Sequence, residues 1–319
     1  MTTAGSFPAS SWSRWIILAA AAAGFIVIAW VCLTAWGAVV HGHPAYAILL
    51  GFTLIGTSYA AWRARRRIPR RTGRRLVLRV MLLAAGIGWI SAMAWLRPFV
   101  AVEPALAAMR SDGTVTVMES PTQISLRPAG AVSDTGVFFQ PGALVEARAY
   151  AAVLRPLAAA GHVVVIAKQP LGIGFLALPA FDDARSAHPE ISAWVVGGHS
   201  LGGVVAAIQA DASDEDPSAP AVGLLLFASY PAGDIGSSLS AAVTSISGTR
   251  DGLTTPEKIS ASRGNLPADA TFVIIEGASH ADFGDYGPQP GDGTPTIAHD
   301  EARSRIADAS VRFVDGLSR

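Results

Sequence analysis

The stretch Trp194-Val-Val-Gly-Gly-His-Ser200-Leu-Gly-Gly-Val-Val-Ala206 joins an apolar, β-branched run to a run of small residues that can form a helix. It contains the pattern G-x-S-x-G, with Gly198 and Gly202 placed two residues on either side of Ser200. In a tight strand-to-helix turn, side chains at those two positions would collide with neighbouring backbone. The Ser200 hydroxyl would then stand at a helix N-terminus, whose dipole favours developing negative charge. The stretch therefore predicts a nucleophilic serine, and a glycine-rich turn with an idle serine is the alternative.

A serine hydroxyl is a weak nucleophile and needs a neighbouring base to become reactive. His280 follows the last apolar run of the chain, and Asp251 follows the run before it. Both positions are carboxyl ends of predicted strands. The three residues also follow one another along the chain as serine, acid and histidine, which is the order expected when the serine lies on a strand–turn–helix. Asp251 would orient the imidazole and stabilise the imidazolium that forms. We therefore expect Ser200, Asp251 and His280 to form a catalytic triad, with Asp234, which follows one strand earlier, as the reserve acid.

Each of these assignments has an alternative. Asp251 precedes a glycine and could serve only to form a turn, and His280 could be a structural histidine. His199 lies inside the turn of Ser200, and we expect it to point away from the site. His162 begins a predicted strand and His188 ends a predicted helix. None of these three histidines has a better claim as the base than His280.

Acyl transfer also needs two backbone N–H donors for the oxyanion that forms. One should be the amide of Leu201, the residue after the nucleophile, and the other should come from the loop after the third strand. That loop reads Phe138-Phe-Gln-Pro-Gly-Ala-Leu144, and Ala143 is its natural donor. An ordinary Pro-Gly turn before a helix is the competing interpretation.

Residues 103–319 alternate short apolar runs with longer mixed segments and are long enough to bury a sizeable core. The inner runs are continuously apolar, as expected for strands buried on both faces. The pattern predicts an α/β domain, a mostly parallel sheet with helices on both faces. The predicted strands are Val115–Met118, Gln123–Leu126, Gly136–Gln140, His162–Lys168, Ala193–Gly197, Val222–Ala228, Ala242–Ser247 and Thr271–Glu276. The predicted helices are Leu144–Ala160, Asp182–His188, Leu201–Ala212, Thr255–Arg263 and His299–Gly316.

Charge divides the chain into two regions. Residues 1–102 contain no Asp or Glu and hold 11 of the 24 basic residues, whereas residues 103–319 hold 13 basic and 24 acidic residues, a formal charge of −11. We expect a membrane anchor over 1–102 and a catalytic domain over 103–319. The negative charge of the second region argues against nucleic acid as its partner, because binding phosphate requires a positive surface.

The first region contains three apolar runs, at about 15–40, 44–62 and 76–96, and a helix needs about 20 apolar residues to cross a bilayer. The first run is too long for the core of a signal peptide. Three transmembrane helices are therefore predicted, and a buried soluble bundle is the alternative. Cys32, the single cysteine, lies in the first run and is either a palmitoylation site or an inert small side chain.

Eight arginines fall within the 13 residues from Arg63 to Arg75, between the second and third runs. Short basic loops stay on the cytoplasmic side of a membrane, and they can also bind anionic lipid. The predicted topology is a multi-pass protein of the cell membrane with a cytoplasmic N-terminus. Everything after Arg97, including the catalytic domain, would lie on the extracytoplasmic side.

Residues from about 136 to 316 resemble the α/β-hydrolase superfamily, in particular its small bacterial branch known as alpha/beta hydrolase fold-5. The blocks that carry the resemblance are FFQPGALVEARAYAAVLRPLAAAGHVVVIAKQP, WVVGGHSLGG, SISGTRDGLTTPEKI and VIIEGASHADFGDYGPQPGDG. The resemblance implies an α/β-hydrolase fold, hydrolysis of esters or related acyl groups, and a triad at Ser200, Asp251 and His280. It departs from the branch at Ala143, where a second glycine is frequent, and it does not extend to residues 1–100.

The sequence therefore predicts a membrane-anchored serine hydrolase of carboxylic esters that uses no cofactor or metal. Its expected partners are a small-molecule or lipid-like ester and the bilayer. An acyltransferase with the same triad and a non-catalytic membrane module are the rival classes. No segment is long enough for a large helical lid, and 169–189 is the one candidate cap, which favours an open site and esters of small or moderate size. The loop 281–293 either lines the pocket or is solvated.

Overall fold

The computed structural model of the protein describes residues 9–66 and 74–318. Two compact units are present. One comprises Met1–Val40 and Pro44–Arg97, and the other comprises His41–His43 and Pro98–Arg319. Of the predicted Arg-rich loop 63–75, residues 67–73 lie outside the described residues.

The N-terminal helices are α1 (Ala9–Thr34), α2 (Trp36–His41), α3 (Pro44–Arg65) and α4 (Arg74–Trp95). Three segments of them, Arg14–Thr34, Pro44–Arg65 and Val77–Trp95, are long and apolar enough to cross a membrane, with mean hydropathies of 2.7, 1.3 and 1.8. The first apolar run, expected at about 15–40, is divided between two helices, because α1 ends at Thr34 and α2 begins at Trp36. There the Thr34 hydroxyl donates a hydrogen bond of 2.6 Å to the carbonyl oxygen of Trp30, an interaction that often bends helices.

The second unit is built on an eight-stranded sheet. Strands β1 and β2 pair antiparallel, β2 also pairs antiparallel with β4, and the remaining neighbours pair parallel in the order β1-β2-β4-β3-β5-β6-β7-β8. The strands are β1 (Val115–Glu119), β2 (Gln123–Pro128), β3 (Thr135–Gln140), β4 (Val164–Ala167), β5 (Ala193–His199), β6 (Ala221–Phe227), β7 (Ala242–Gly248) and β8 (Thr271–Ile275). All eight predicted strands, and the mostly parallel sheet, are confirmed.

Helices cover both faces of this sheet. They are α5 (Ala105–Ala108), α6 (Ala151–Ala159), α7 (Ala180–Ala187), α8 (Leu201–Asp211), α9 (Pro256–Ser262) and α10 (His299–Leu317). Successive strand residues point to opposite faces. Phe139 therefore packs in one core with side chains of α6 and α10, while Phe138 packs in a second core with side chains of α7 and α8. The parallel arrangement brings the carboxyl ends of β3, β5, β7 and β8 to one edge of the sheet.

The helix predicted over Leu144–Ala160 begins later than expected. Leu144 has a left-handed backbone (φ 59°), and Glu146 is extended (φ −60°, ψ 130°). A 3₁₀ turn over Ala147–Tyr150 then leads into α6. The displaced start leaves residues 141–146 as a loop at the carboxyl end of β3.

Candidate active site

Ser200 lies at the junction of β5 and α8 in a strained backbone conformation, with φ 52° and ψ −125°. A Cβ atom added to Gly198 would come within 2.4 Å of the Gly202 backbone, and one added to Gly202 would come within 2.2 Å of the carbonyl oxygens of Gln140 and Pro141. Such distances exclude any side chain at either position. The two glycines thus allow the sharp turn and the close approach of the loop after β3.

The turn is also held by hydrogen bonds of the Ser200 backbone. Its N–H donates to the carbonyl oxygen of Phe227 in β6 (3.0 Å). Its carbonyl oxygen accepts the hydroxyl of Ser229 (2.6 Å). A non-glycine residue at positive φ costs free energy and persists where its surroundings fix it. The strain of Ser200 is therefore sustained by the neighbouring strand.

Asp251 and His280 form a fully buried pair at the ends of β7 and β8. The Nδ1 atom of His280 lies 2.8 Å from Oδ2 of Asp251. The other carboxylate oxygen, Oδ1, accepts the backbone N–H groups of Leu253 (2.8 Å) and Thr254 (2.7 Å). Two backbone amides hold Oδ1, so Oδ2 is left to accept a hydrogen bond from His280. That bond fixes the tautomer of His280 in which Nδ1 carries the proton.

The other ring nitrogen of His280, Nε2, is buried and has no hydrogen-bond partner within residues 9–66 and 74–318. In the tautomer that Asp251 imposes, this nitrogen is an acceptor. Buried polar atoms in native proteins are rarely left unpaired, and exceptions require an explanation. Ser200 and His280 make no hydrogen bond here, and such bonds are often long in proteins without bound substrate.

The backbone N–H groups of Leu201 and Ala143 are both free of intramolecular acceptors in the described part of the chain. Leu201 is the first residue of α8, where helical N–H groups have no partner within the helix. On either side of Ala143, the N–H of Gly142 donates to the Tyr150 hydroxyl (2.9 Å), and the N–H of Leu144 donates to the carbonyl oxygen of Gly172 (2.8 Å). The loop after β3 is thereby fixed on both sides of the Ala143 N–H, which remains free to donate.

His199 does not point away from the site as expected. Its ring lies against that of His280, with 4.5 Å between centroids, and it stacks on Phe283 at 5.9 Å with an interplanar angle of 10°. Its Nδ1 lies 2.8 Å from the Tyr150 hydroxyl. Burial, followed by the neighbouring His280, holds the pKa of His199 well below its usual value. His199 is therefore a neutral ring that connects His280 to the loop after β3.

Asp292 is a site residue that the sequence did not reveal. Its Oδ1 accepts the backbone N–H groups of His280 (3.1 Å), Gly252 (3.1 Å) and Gly293 (2.7 Å). Its Oδ2 accepts the N–H of Ala281 (2.8 Å). One carboxylate thus joins the loop that carries Asp251 to the turn that carries His280. The loop 281–293 folds back on His280, whereas a Gly/Pro/Asp-rich sequence is equally typical of a solvated turn.

A second set of charges holds the 3₁₀ turn His280–Phe283 against α10. His299 lies 2.8 Å from Asp282 through Nδ1 and 2.8 Å from Asp285 through Nε2, and Arg303 donates to Asp285 (2.8 Å). The hydrogen bonds to Asp282 and Asp285 raise the pKa of His299 to about 9. His299 is accordingly a cation near pH 7 that lies between two carboxylates.

The remaining candidates lie elsewhere. Asp234 is exposed and accepts the N–H of Gly236 in its own loop (2.9 Å). His162 contacts the Thr135 carbonyl and Asp315, and His188 contacts Arg127 and Glu190. In the described residues, no three His, Cys, Asp or Glu side chains converge so as to hold a metal ion.

Comparison with solved structures finds similar chains. An alpha-beta serine hydrolase homologue from Coxiella burnetii is 15% identical, with 64% of this chain and 98% of that chain covered and a TM-score of 0.44. A monoacylglycerol lipase from Paleococcus ferrophilus is 15% identical, with coverages of 64% and 100% and a TM-score of 0.46. No curated protein matches the sequence significantly. The sequence model of the alpha/beta hydrolase family matches residues 136–304, more than half of the chain.

Proposed function

The chain belongs to the alpha/beta hydrolase family, and we propose that it is a membrane-anchored serine hydrolase that cleaves carboxylic esters. Ser200 is the nucleophile, His280 the base and Asp251 the acid that orients it. The backbone amides of Leu201 and Ala143 form the oxyanion hole. No cofactor or metal takes part in this scheme.

The observation that carries the proposal is the buried pair of Asp251 and His280, whose outer nitrogen is left unpaired. Oδ2 of Asp251 lies 2.8 Å from Nδ1 of His280, while Nε2 is buried without a partner in the described part of the chain. An unpaired buried polar atom costs about 1–3 kcal/mol. The Nε2 of His199 is also unpaired in the described part of the chain, but its Nδ1 is held by a phenol, whereas the Nδ1 of His280 is held by a buried carboxylate. A base that must accept a proton from a serine needs its Nε2 free.

In the proposed reaction, His280 Nε2 takes the proton of the Ser200 hydroxyl as Oγ attacks the ester carbonyl. The carbonyl oxygen becomes an oxyanion and accepts hydrogen bonds from the two free amides. His280 then gives its proton to the leaving alcohol, and an acyl-enzyme forms on Ser200. Water, activated by the same imidazole, releases the acid and restores the serine.

The three apolar helices support the anchored part of the proposal. We place the N-terminus and the arginine-rich loop in the cytoplasm and the catalytic unit on the extracytoplasmic side, following the positive-inside rule. A C-terminal alkaline phosphatase fusion tests this topology. An active phosphatase fusion is expected. An inactive phosphatase fusion, combined with fluorescence from a C-terminal fusion to green fluorescent protein, would refute this topology.

An acyltransferase would use the same groups but exclude water from the acyl-enzyme. Product analysis with an added alcohol acceptor separates the two, because a hydrolase forms mainly free acid. A module that only resembles an enzyme would release no product at all.

The direct test is hydrolysis of a panel of esters of increasing acyl length by the full-length protein. We expect turnover by the wild type and its loss in Ser200→Ala. Ser192→Ala is the matched control, because Ser192 is an exposed serine just before β5, at the opposite end of the same strand. Equal turnover in Ser200→Ala and Ser192→Ala would overturn the proposal.

A further inference from the structure

Residues 170–180, here called the apolar strip, read PLGIGFLALPA and contain no polar side chain over eleven positions. They connect β4 to α7, within the segment considered as a cap. Only Gly174 and Ala177 are buried, whereas Phe175, Leu176 and Leu178 are 44%, 53% and 38% exposed. Single exposed apolar side chains are ordinary in soluble proteins. A run of them is a liability unless it has a function.

Hydrogen bonds to buried glutamines fix the shape of the strip. The Gln140 side-chain amide donates to the carbonyl oxygen of Ala177 (3.2 Å), and that of Gln209 donates to the carbonyl oxygen of Leu178 (2.7 Å). These two bonds hold the consecutive carbonyl groups of Ala177 and Leu178 on buried side chains. The side chains of Phe175 and Leu176 are exposed beside this fixed backbone. Their exposure is therefore a feature of the folded chain and not of a loose loop.

The strip also borders the candidate active site. The carbonyl oxygen of Gly172 accepts the N–H of Leu144 (2.8 Å), the residue after the proposed oxyanion donor Ala143. A Cβ added to Gly174 would lie 3.0 Å from a methyl group of Val205 in α8, the helix that begins next to Ser200. The apolar strip therefore contacts both the loop after β3 and helix α8, the two elements that border the candidate active site.

We propose that the apolar strip inserts into a lipid surface and that the ester reaches Ser200 from that surface. The second half of this inference rests on the proposed function, whereas the first half does not. Within residues 9–66 and 74–318, three helices are long and apolar enough to cross a membrane, so a bilayer is the apolar phase most available to this chain. Apolar loops that lie at an interface bind by burying side chains at the boundary between head groups and acyl chains.

Charge indicates what kind of lipid contact this is. The strip carries no basic residue, and Asp182 and Asp183 follow it at the start of α7. Attraction to anionic head groups requires Lys or Arg clusters. The contact should therefore occur with zwitterionic lipid and should not weaken as salt is added, because salt screens charge attraction but not apolar burial.

The test uses the full-length protein in phosphatidylcholine vesicles, with Cys32→Ala removing the single native cysteine. Leu176→Cys, at a position more exposed than Phe175 or Leu178, carries an environment-sensitive nitrobenzoxadiazole label. Ser192→Cys carries the same label at an exposed site at the other end of β5 and is the matched control. Vesicles with a nitroxide on the lipid acyl chain quench only a label that reaches the apolar phase.

We expect the label at position 176 to be quenched about threefold or more relative to the label at position 192, with no loss of quenching at about 0.5 M NaCl. Equal quenching at the two positions would overturn the inference. Energy transfer between labels at 176 on different chains, without quenching by lipid, would also overturn it and assign the strip to contact between copies. Reaction of the same labelled proteins with a fluorophosphonate reports separately on the proposed function.

Discussion

The imidazole ring of His199 packs against that of His280, with 4.5 Å between their centroids. His199 is neutral because it is buried, and its Nδ1 is held by the Tyr150 hydroxyl at 2.8 Å. That hydroxyl also accepts the N–H of Gly142 (2.9 Å). One phenol therefore supports both the ring behind the proposed base and the loop that presents the Ala143 amide.

Tyr150→Phe should destabilise the catalytic unit. The change leaves the buried Gly142 N–H without an acceptor, and an unsatisfied buried group costs about 1–3 kcal/mol, with roughly 2–4 °C of Tm per kcal/mol in a domain of this size. Thermal unfolding in detergent measures the loss. Tyr286→Phe is the control, since within the described residues its hydroxyl hydrogen-bonds to the partly exposed Gln289 alone (3.0 Å). A Tm loss no larger than that of the control would contradict the role given to Tyr150.

Asp251→Asn should lower kcat by about 10³–10⁴-fold, because an amide would hold the wrong tautomer of the base. Asp234→Asn should leave kcat within about twofold, the range of surface substitutions, since Asp234 is exposed and bonds only within its own loop. Steady-state kinetics on one ester compares the two. The reverse ranking would make Asp234 the acid and reject the assignment of Asp251.

The strands and the positions of their ends could be predicted, because short apolar runs bounded by polar segments are a local property of the sequence. Asp251 and His280 each follow a strand, and the parallel sheet brings the ends of neighbouring strands together. Leu144 was missed, because a left-handed backbone at a leucine has no sequence signature. Asp292 was missed for a different reason. Its role depends on a loop folding back over two others, and an Asp before Gly is common in any turn.

Asp292→Asn should lower kcat by about 10–100-fold, the loss that a small misplacement of catalytic groups produces, and change KM little. Both carboxylate oxygens of Asp292 accept backbone N–H groups. Asparagine keeps only one acceptor oxygen, and its NH₂ group would face a backbone N–H that has lost its acceptor. The split between kcat and KM distinguishes positioning of His280 from a general loss of folded protein. Asp300→Asn, an exposed change on α10, is the control. A fall in active-site concentration with unchanged kcat per site would show that Asp292 acts on folding alone.

His299 should make stability depend on pH. Its pKa of about 9 in the folded chain exceeds the ordinary value of 6.5, so its pairing stabilises the fold fully below pH 6.5 and is lost as pH rises through about 9. The Tm of the wild type should therefore fall over this range. His299→Gln should not show that fall, because glutamine does not titrate. Parallel Tm curves for the two proteins from pH 6 to pH 10 would exclude this linkage.

Reaction of the full-length protein with a fluorophosphonate at neutral pH tests the central claim most directly, since the reagent traps a serine that an adjacent base activates. Intact-mass analysis should show one adduct per wild-type chain, and peptide mapping should locate it at Ser200. Ser200→Ala should not react, while Ser192→Ala should react as the wild type does. A folded wild-type protein that does not react, or an adduct that persists in Ser200→Ala, would contradict the assignment of Ser200 as the nucleophile.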